Sequence, residues 1–229
     1  MRTITHVLFD MDGLLLDTEK FYSVVQEKIL SGYGKSFTWS LKAKMMGKRA
    51  AEAAEIFVHD SGLEGILSPR DFLTQREAML EVMFPESQLL PGVERLVGYF
   101  QSQGIPMAIA TSSHKRNFDL KTINHKELIS RMHHVVVGDD PDVKLGKPAP
   151  DIFLVAASRF PDPKPRPENV LVFEDAPTGV EAAQNAGMSV VMVPDPNLDK
   201  SLCDRADIVL ETLEDFDPST FGMPPFIKN

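Results

Sequence analysis

Through most of this chain, short apolar runs that end in acids or hydroxyls alternate with segments whose apolar residues recur at helical spacing. The first run, residues 4–10, ends in Asp10, and Asp12 and Gly13 follow at once. An apolar run closed by acid reads as a buried parallel strand that delivers carboxylates at its C-terminal end. Side chains two apart on an extended segment point the same way, so Asp10 and Asp12 can serve one site. A strand followed by an ordinary acidic turn is the plainer alternative on this stretch alone.

From residue 14 to about residue 90 the pattern turns helical. Phe21, Val24, Val25 and Ile29 approach a 3.6-residue period across residues 19–30. Residues 39–58 predict two short helices around Gly47, and Ser68-Pro69 opens a further helix with a Ser cap and Pro at its first position. Pro91-Gly92 closes the block with a turn. The expected organisation is an α/β core formed by residues 1–16 and 91–229, with residues 17–90 inserted as a helical cap.

Beyond residue 92 the βα alternation is regular. Helices are expected over 93–103, 118–131, from Asp151 to about 160, and over 178–186, closed by Gly187. Strands are expected over 105–110, 134–137, 170–173, 189–193 and 207–210, and a proline-rich connector over 161–167. This alternation predicts a Rossmann-like, doubly wound, mostly parallel sheet with helices on both faces.

Composition narrows the partners. A net charge of −9 argues against nucleic acid or an anionic membrane as partner, although a local cation cluster can still hold a small anion. The lone Cys203 excludes an intrachain disulfide framework and suits a reducing compartment. No run approaches the roughly 18 apolar residues of a membrane span. The first strand begins almost at the first residue, so the expectation is a cytoplasmic protein with no leader; a monomer is expected.

Four predicted strands finish in polar groups: Asp10/Asp12, Thr111/Ser112, Asp139/Asp140 and Glu174/Asp175. Such groups converge on one crevice at the carboxyl edge of an open α/β sheet. Clustered carboxylates repel unless a cation sits among them, and oxygen-only ligands favour a hard ion such as Mg²⁺. Lys147, just before a helix, and Thr111 suit a phosphate group.

In order and spacing these motifs resemble the haloacid dehalogenase-like phosphatase superfamily, in its subgroup with a helical cap after the first strand. The matching segments are Asp10-Met11-Asp12-Gly13 with Thr18, then Thr111-Ser112, then Gly146-Lys147-Pro148, then Glu174-Asp175. The resemblance implies that Asp10 is the nucleophile of an aspartyl-phosphate mechanism and Asp12 the general acid and base. It implies Mg²⁺ held by Asp10, the Asp12 carbonyl, Asp175 and Glu174, and a phosphoryl group held by Thr111, Ser112 and Lys147. Asp12 also speaks against dehalogenation, which needs no leaving-group acid.

Longer segments are similar to a eukaryotic group that includes plant glycerol-3-phosphatases and the animal pseudouridine-5′-phosphatase. Glycerol 3-phosphate is the first substrate expectation, and pseudouridine 5′-phosphate the alternative. Flavin mononucleotide or 2-deoxyglucose 6-phosphate hydrolysis, a mutase of the β-phosphoglucomutase type and a catalytically dead binding module are the further rivals. Lys48 and Arg49 fall where related caps place a substrate-facing loop; a solvated basic helix start is the equal alternative. His133 and His134 are adjacent and cannot easily face one metal.

Overall fold

The computed structural model describes residues 3–46 and 48–226. Its sheet has six strands, all parallel, in the order β3-β2-β1-β4-β5-β6. The strands are β1 His6–Phe9, β2 Met107–Ala110, β3 His134–Val136, β4 Val170–Glu174, β5 Ser189–Met192 and β6 Ile208–Val209. The chain winds one way from β1 through β3 and the other way from β4 through β6. The crevice of such a sheet opens where that order reverses, between β1 and β4.

Alternate residues of each strand feed two cores. Val7, Phe9, Ile109, Leu171 and Phe173 pack on one face against Val93, Leu96, Val97 and Phe100 of α5, Val93–Ser102. Leu8, Ala108, Val172 and Val190 pack on the other against α8, Asp151–Ser158, and α9, Pro177–Asn185. Burial on both faces explains why the strands read as continuous apolar runs rather than as alternating ones.

Between β1 and α5 lie α1 Glu19–Ser31, α2 Trp39–Met45, α3 Ala50–Asp60 and α4 Pro69–Met83. Ser68 accepts the Asp71 amide N–H at 3.1 Å, the cap its sequence position predicts. These helices enclose an apolar cluster of their own, with Phe57 and Phe72 stacked at a centroid distance of 3.8 Å. The chain leaves and re-enters the sheet domain side by side: Asp17 N–H donates to Gln88 at 2.9 Å, and Leu90 N–H to Leu15 at 3.1 Å. Gly47, expected to separate two short helices here, lies outside the described residues.

One helix expected over 118–131 is two: α6 Lys115–Lys121 and α7 Lys126–Ser130. Tertiary bonds interrupt it. Asn124 and His125 bond the carbonyls of Pro85 and Ser87 at 2.9 and 2.8 Å. The last strand is also shorter than expected, two residues at the sheet's edge. Among the described residues no helix is long and apolar enough to cross a membrane.

Candidate active site

Asp10 follows the last residue of β1, Thr111 the last of β2, and Glu174 ends β4, so three adjacent strands deliver these side chains to one edge. The Asp10 amide extends the ladder by donating to the Phe173 carbonyl at 3.0 Å. Gly13, at φ +77°, then turns the chain where a Cβ would press on the Asp175 carboxylate. Here glycine is required by both backbone and space.

Lys147 reaches the same point from the loop before α8. Its buried ammonium lies 2.5 Å from Asp10 Oδ1 and 2.5 Å from Glu174 Oε1. Burial alone would lower the lysine's pKa; the two carboxylates instead hold it above its ordinary value. Burial raises the Asp10 carboxyl to about 7, with Lys147 opposing and Glu174 and Asp12 adding to the rise. The Asp175 carboxyl stands well above the usual range, through burial and then through Glu174 and Asp10.

Asp10, Glu174 and Asp175 can each offer an oxygen within 4.8 Å of the others. Three crowded, buried carboxylates, two of them (Asp10 and Asp175) drawn toward their neutral forms by burial, are the donor set a hard divalent cation would draw into ionisation, so the residues fit Mg²⁺. Glu174 has a further duty. Its Oε2 accepts the amide N–H groups of Asp175 and Ala176 at 2.9 and 3.0 Å, at the start of α9.

Asp12 is bound differently from Asp10. Oδ1 accepts from Thr18 and Lys121 at 2.5 Å each, and Oδ2 from Ser113 at 2.7 Å and Thr111 at 3.4 Å. Burial would raise this carboxyl, but the Lys121 charge and the donated bonds outweigh it and leave it below the ordinary value. Two neighbouring carboxylates are thus pushed in opposite directions by their surroundings.

Asp10, Asp12, Glu174 and Asp175 face a cavity of about 100 Å³ between the sheet edge and helices α1–α4. Glu19, Tyr22 and Gln26 of α1 line its cap side, with Lys42 of α2 and Arg76 of α4. Lys48 lines it too, paired with Glu52. Ser112 also lines it, while Thr111 and Lys147 stand buried behind the wall.

Arg49 does not line the cavity. Its guanidinium donates to the Val143 and Lys144 carbonyls at 3.0 Å each, and its stem covers Gly146, beside Lys147. It fastens the cap to the loop that carries the buried lysine.

The sequence model described as haloacid dehalogenase-like hydrolase matches residues 7–193, most of the chain and every one of these core groups. The chain belongs to the haloacid dehalogenase-like hydrolase family. A relative, (DL)-glycerol-3-phosphatase 1, mitochondrial, of Arabidopsis thaliana, is 62% identical over 98% of this chain and 75% of its own length. A probable pseudouridine-5′-phosphatase of Drosophila melanogaster is 46% identical over 99% of this chain and 97% of its own. Among solved structures, β-phosphoglucomutase from Clostridium difficile aligns with a TM-score of 0.78 at 20% identity, over 95% of both chains, and shares the fold.

The motifs read from the sequence mark the sheet end of this site but say little of its helical side. Glu19, Tyr22 and Gln26 were legible in hindsight: positions i, i+3 and i+7 of α1 share one face, beside the apolar stripe of Phe21, Val25 and Ile29. Lys121 and Asn117 likewise fall four apart on α6 and both are buried. Lys42 and Arg76 carry no such signal, since a lone cation on an amphipathic helix reads as a solvated one.

Proposed function

We propose that this chain hydrolyses a small phosphomonoester, with glycerol 3-phosphate as substrate and Mg²⁺ as cofactor, and that residues 17–90 act as the cap that sets specificity. The observation that carries the reading is Asp10 braced by Lys147, next to an Asp12 held by Thr18, Ser113 and Lys121, at the wall of a small polar cavity.

In this reading an Asp10 carboxylate oxygen attacks phosphorus in line. The new O–P bond forms as the bond to the substrate alkoxide breaks, and Asp12 gives that alkoxide its proton. Water then attacks the same phosphorus and loses a proton to Asp12. The Asp10–phosphorus bond breaks, and phosphate and the free carboxylate are restored. Lys147, Thr111 and the Ser112 backbone hold the phosphoryl oxygens, the electrostatic part on which such transfer mainly depends. Asp10, the Asp12 carbonyl and Asp175, with Glu174 beside them, would hold Mg²⁺, which would supply charge neutralisation at those oxygens.

The cavity's lining supports a small polar substrate: Glu19, Gln26, Lys42 and Arg76 surround it on the helical side and Ser112 and Ser113 on the sheet side. The 62% identity to a glycerol-3-phosphatase points the same way.

The test is Mg²⁺-dependent phosphate release from glycerol 3-phosphate, pseudouridine 5′-phosphate, flavin mononucleotide, 2-deoxyglucose 6-phosphate and β-glucose 1-phosphate, with Asp10→Asn as control. Preference for glycerol 3-phosphate, abolished by the substitution and by chelation, is the expected result. Preference for pseudouridine 5′-phosphate keeps the chemistry and replaces the substrate. Conversion of β-glucose 1-phosphate to its isomer without phosphate release establishes a mutase instead.

A further inference from the structure

Lys121 makes no contact with the nucleophile, yet it is tied to the chemistry more closely than any other buried cation outside the family motifs. It is fully buried on α6, and its Nζ donates to Asp12 Oδ1 at 2.5 Å and to Tyr22 Oη and Ser113 Oγ at 2.9 Å each. An ammonium has three protons, and all three are placed. The rings of Phe84 and Tyr22 lie 4.4 and 4.9 Å from the same nitrogen. Burying a lysine is costly unless its charge is met and its protons are bonded. Here the carboxylate that meets it is Asp12.

The bonds to Asp12 are unequal in a way that selects one oxygen. Oδ1 takes short bonds from Thr18 and Lys121, which occupy both of its lone pairs. Oδ2 has one good bond, from Ser113, and a stretched one of 3.4 Å from Thr111. Oδ2 is therefore the oxygen left to exchange a proton at the cavity. Two of the groups on this lysine come from different bodies, since Ser113 follows β2 and Tyr22 belongs to α1 of the cap.

We propose that Lys121 is a positioning residue that fixes the Asp12 carboxylate with Oδ2 toward the substrate, and that its bond to Tyr22 makes this orientation depend on the seating of α1. The inference rests on the hydrolase reading above. Lys121 acts through Asp12 and touches neither phosphate nor nucleophile.

The leaving group supplies the test. A glycerol alkoxide needs a proton to depart, whereas p-nitrophenolate departs without one. Lys121→Met keeps the stem and removes the donors. General acid catalysis contributes about 10²–10⁴-fold, so kcat on glycerol 3-phosphate should fall by at least ~30-fold while KM moves less than ~3-fold. Single-turnover release of p-nitrophenol from p-nitrophenyl phosphate should fall less than ~5-fold. Tyr22→Phe, which deletes one hydroxyl, should show the same contrast at about a fivefold loss on the alkyl substrate. It decides alone if Lys121→Met does not fold. Equal losses on both substrates, or a raised KM with kcat unchanged, overturn the inference. A wild-type protein that releases phosphate from neither substrate overturns the hydrolase reading, and this inference with it.

Discussion

Gly179, in the first turn of α9, lies so close to the Glu174 carboxylate that a Cβ there would overlap both of its oxygens. The approach lets Glu174 bond the amides at the head of α9 while it faces Lys147. Helix propensity and site geometry make opposite predictions for Gly179→Ala. Propensity alone favours alanine by about 1 kcal/mol in a helix. The overlap instead forces Glu174 aside and frees Lys147 from one of its two carboxylates. Residues behind metal ligands typically change metal affinity by about 10–100-fold, so the variant should need that much more Mg²⁺ for half-maximal phosphate release. A Mg²⁺ titration within twofold of wild type would show that Glu174 has no part in holding the ion.

Arg49 bonds two carbonyls across the cleft, and its fork is what allows both at 3.0 Å. Lysine keeps the charge but not the paired geometry. A hydrogen bond from a charged group contributes about 1.5–3 kcal/mol, which is roughly a 10–150-fold effect. Arg49→Lys and Arg49→Ala should therefore both lower kcat/KM by at least about tenfold. The physical check is small-angle scattering with Mg²⁺ and orthovanadate. Wild type should contract on adding both, and the variants should contract less.

Arg76 is buried at 4% exposure, packed over the rings of Tyr22 and Phe72, and its Nε has no hydrogen-bond partner. Arg76 also lines the cavity, where a guanidinium is suited to a ligand oxygen. Arg76→Met should reduce kcat/KM on glycerol 3-phosphate by about 10–100-fold and leave p-nitrophenyl phosphate, which has no hydroxyl to offer, within about threefold. Matching losses on the two substrates would place Arg76 in the cap's packing and remove it from recognition.

The sheet end of the site is legible in the sequence because the groups there sit at strand ends. An apolar run that stops in Asp10 or Glu174 announces both the strand and the carboxylate. The cap end is legible only in part. Glu19, Tyr22 and Gln26 share a face by helical spacing, but Arg49 is defined by what it meets 94 and 95 residues away. The break between α6 and α7 was invisible for the same reason, since the bonds that cause it come from residues 85 and 87. Lys121 falls within the helix expected over 118–131. Nothing in its neighbours says that Asp12, 109 positions earlier, supplies its counter-charge.

His134 gives a pH dependence far from the chemistry, at the end of β3 remote from the site. Its ring packs edge-on against Phe160 at 4.8 Å, and its Nε2–H donates to the Ala156 carbonyl at 2.9 Å. Burial lowers the imidazole from 6.5 to about 4, with the Ala156 bond opposing and His133 and Arg159 adding to the fall. In the unfolded chain the ring takes a proton near pH 6.5, so below that pH the unfolded state binds more protons than the folded one. Stability from this group is complete above about pH 6.5 and declines as the pH falls toward about 4. The ring is only about half-buried, and screening limits the effect to about 1–2 kcal/mol. For a chain of this length that is a few degrees in melting temperature. His134→Gln keeps a donor for Ala156 and cannot titrate. The drop in Tm from pH 7.5 to pH 5 should be smaller by about 3–6 °C in the variant, with phosphate release at pH 7.5 unchanged. An equal drop in both proteins would mean that His134 takes up its proton in the folded state at its ordinary pKa.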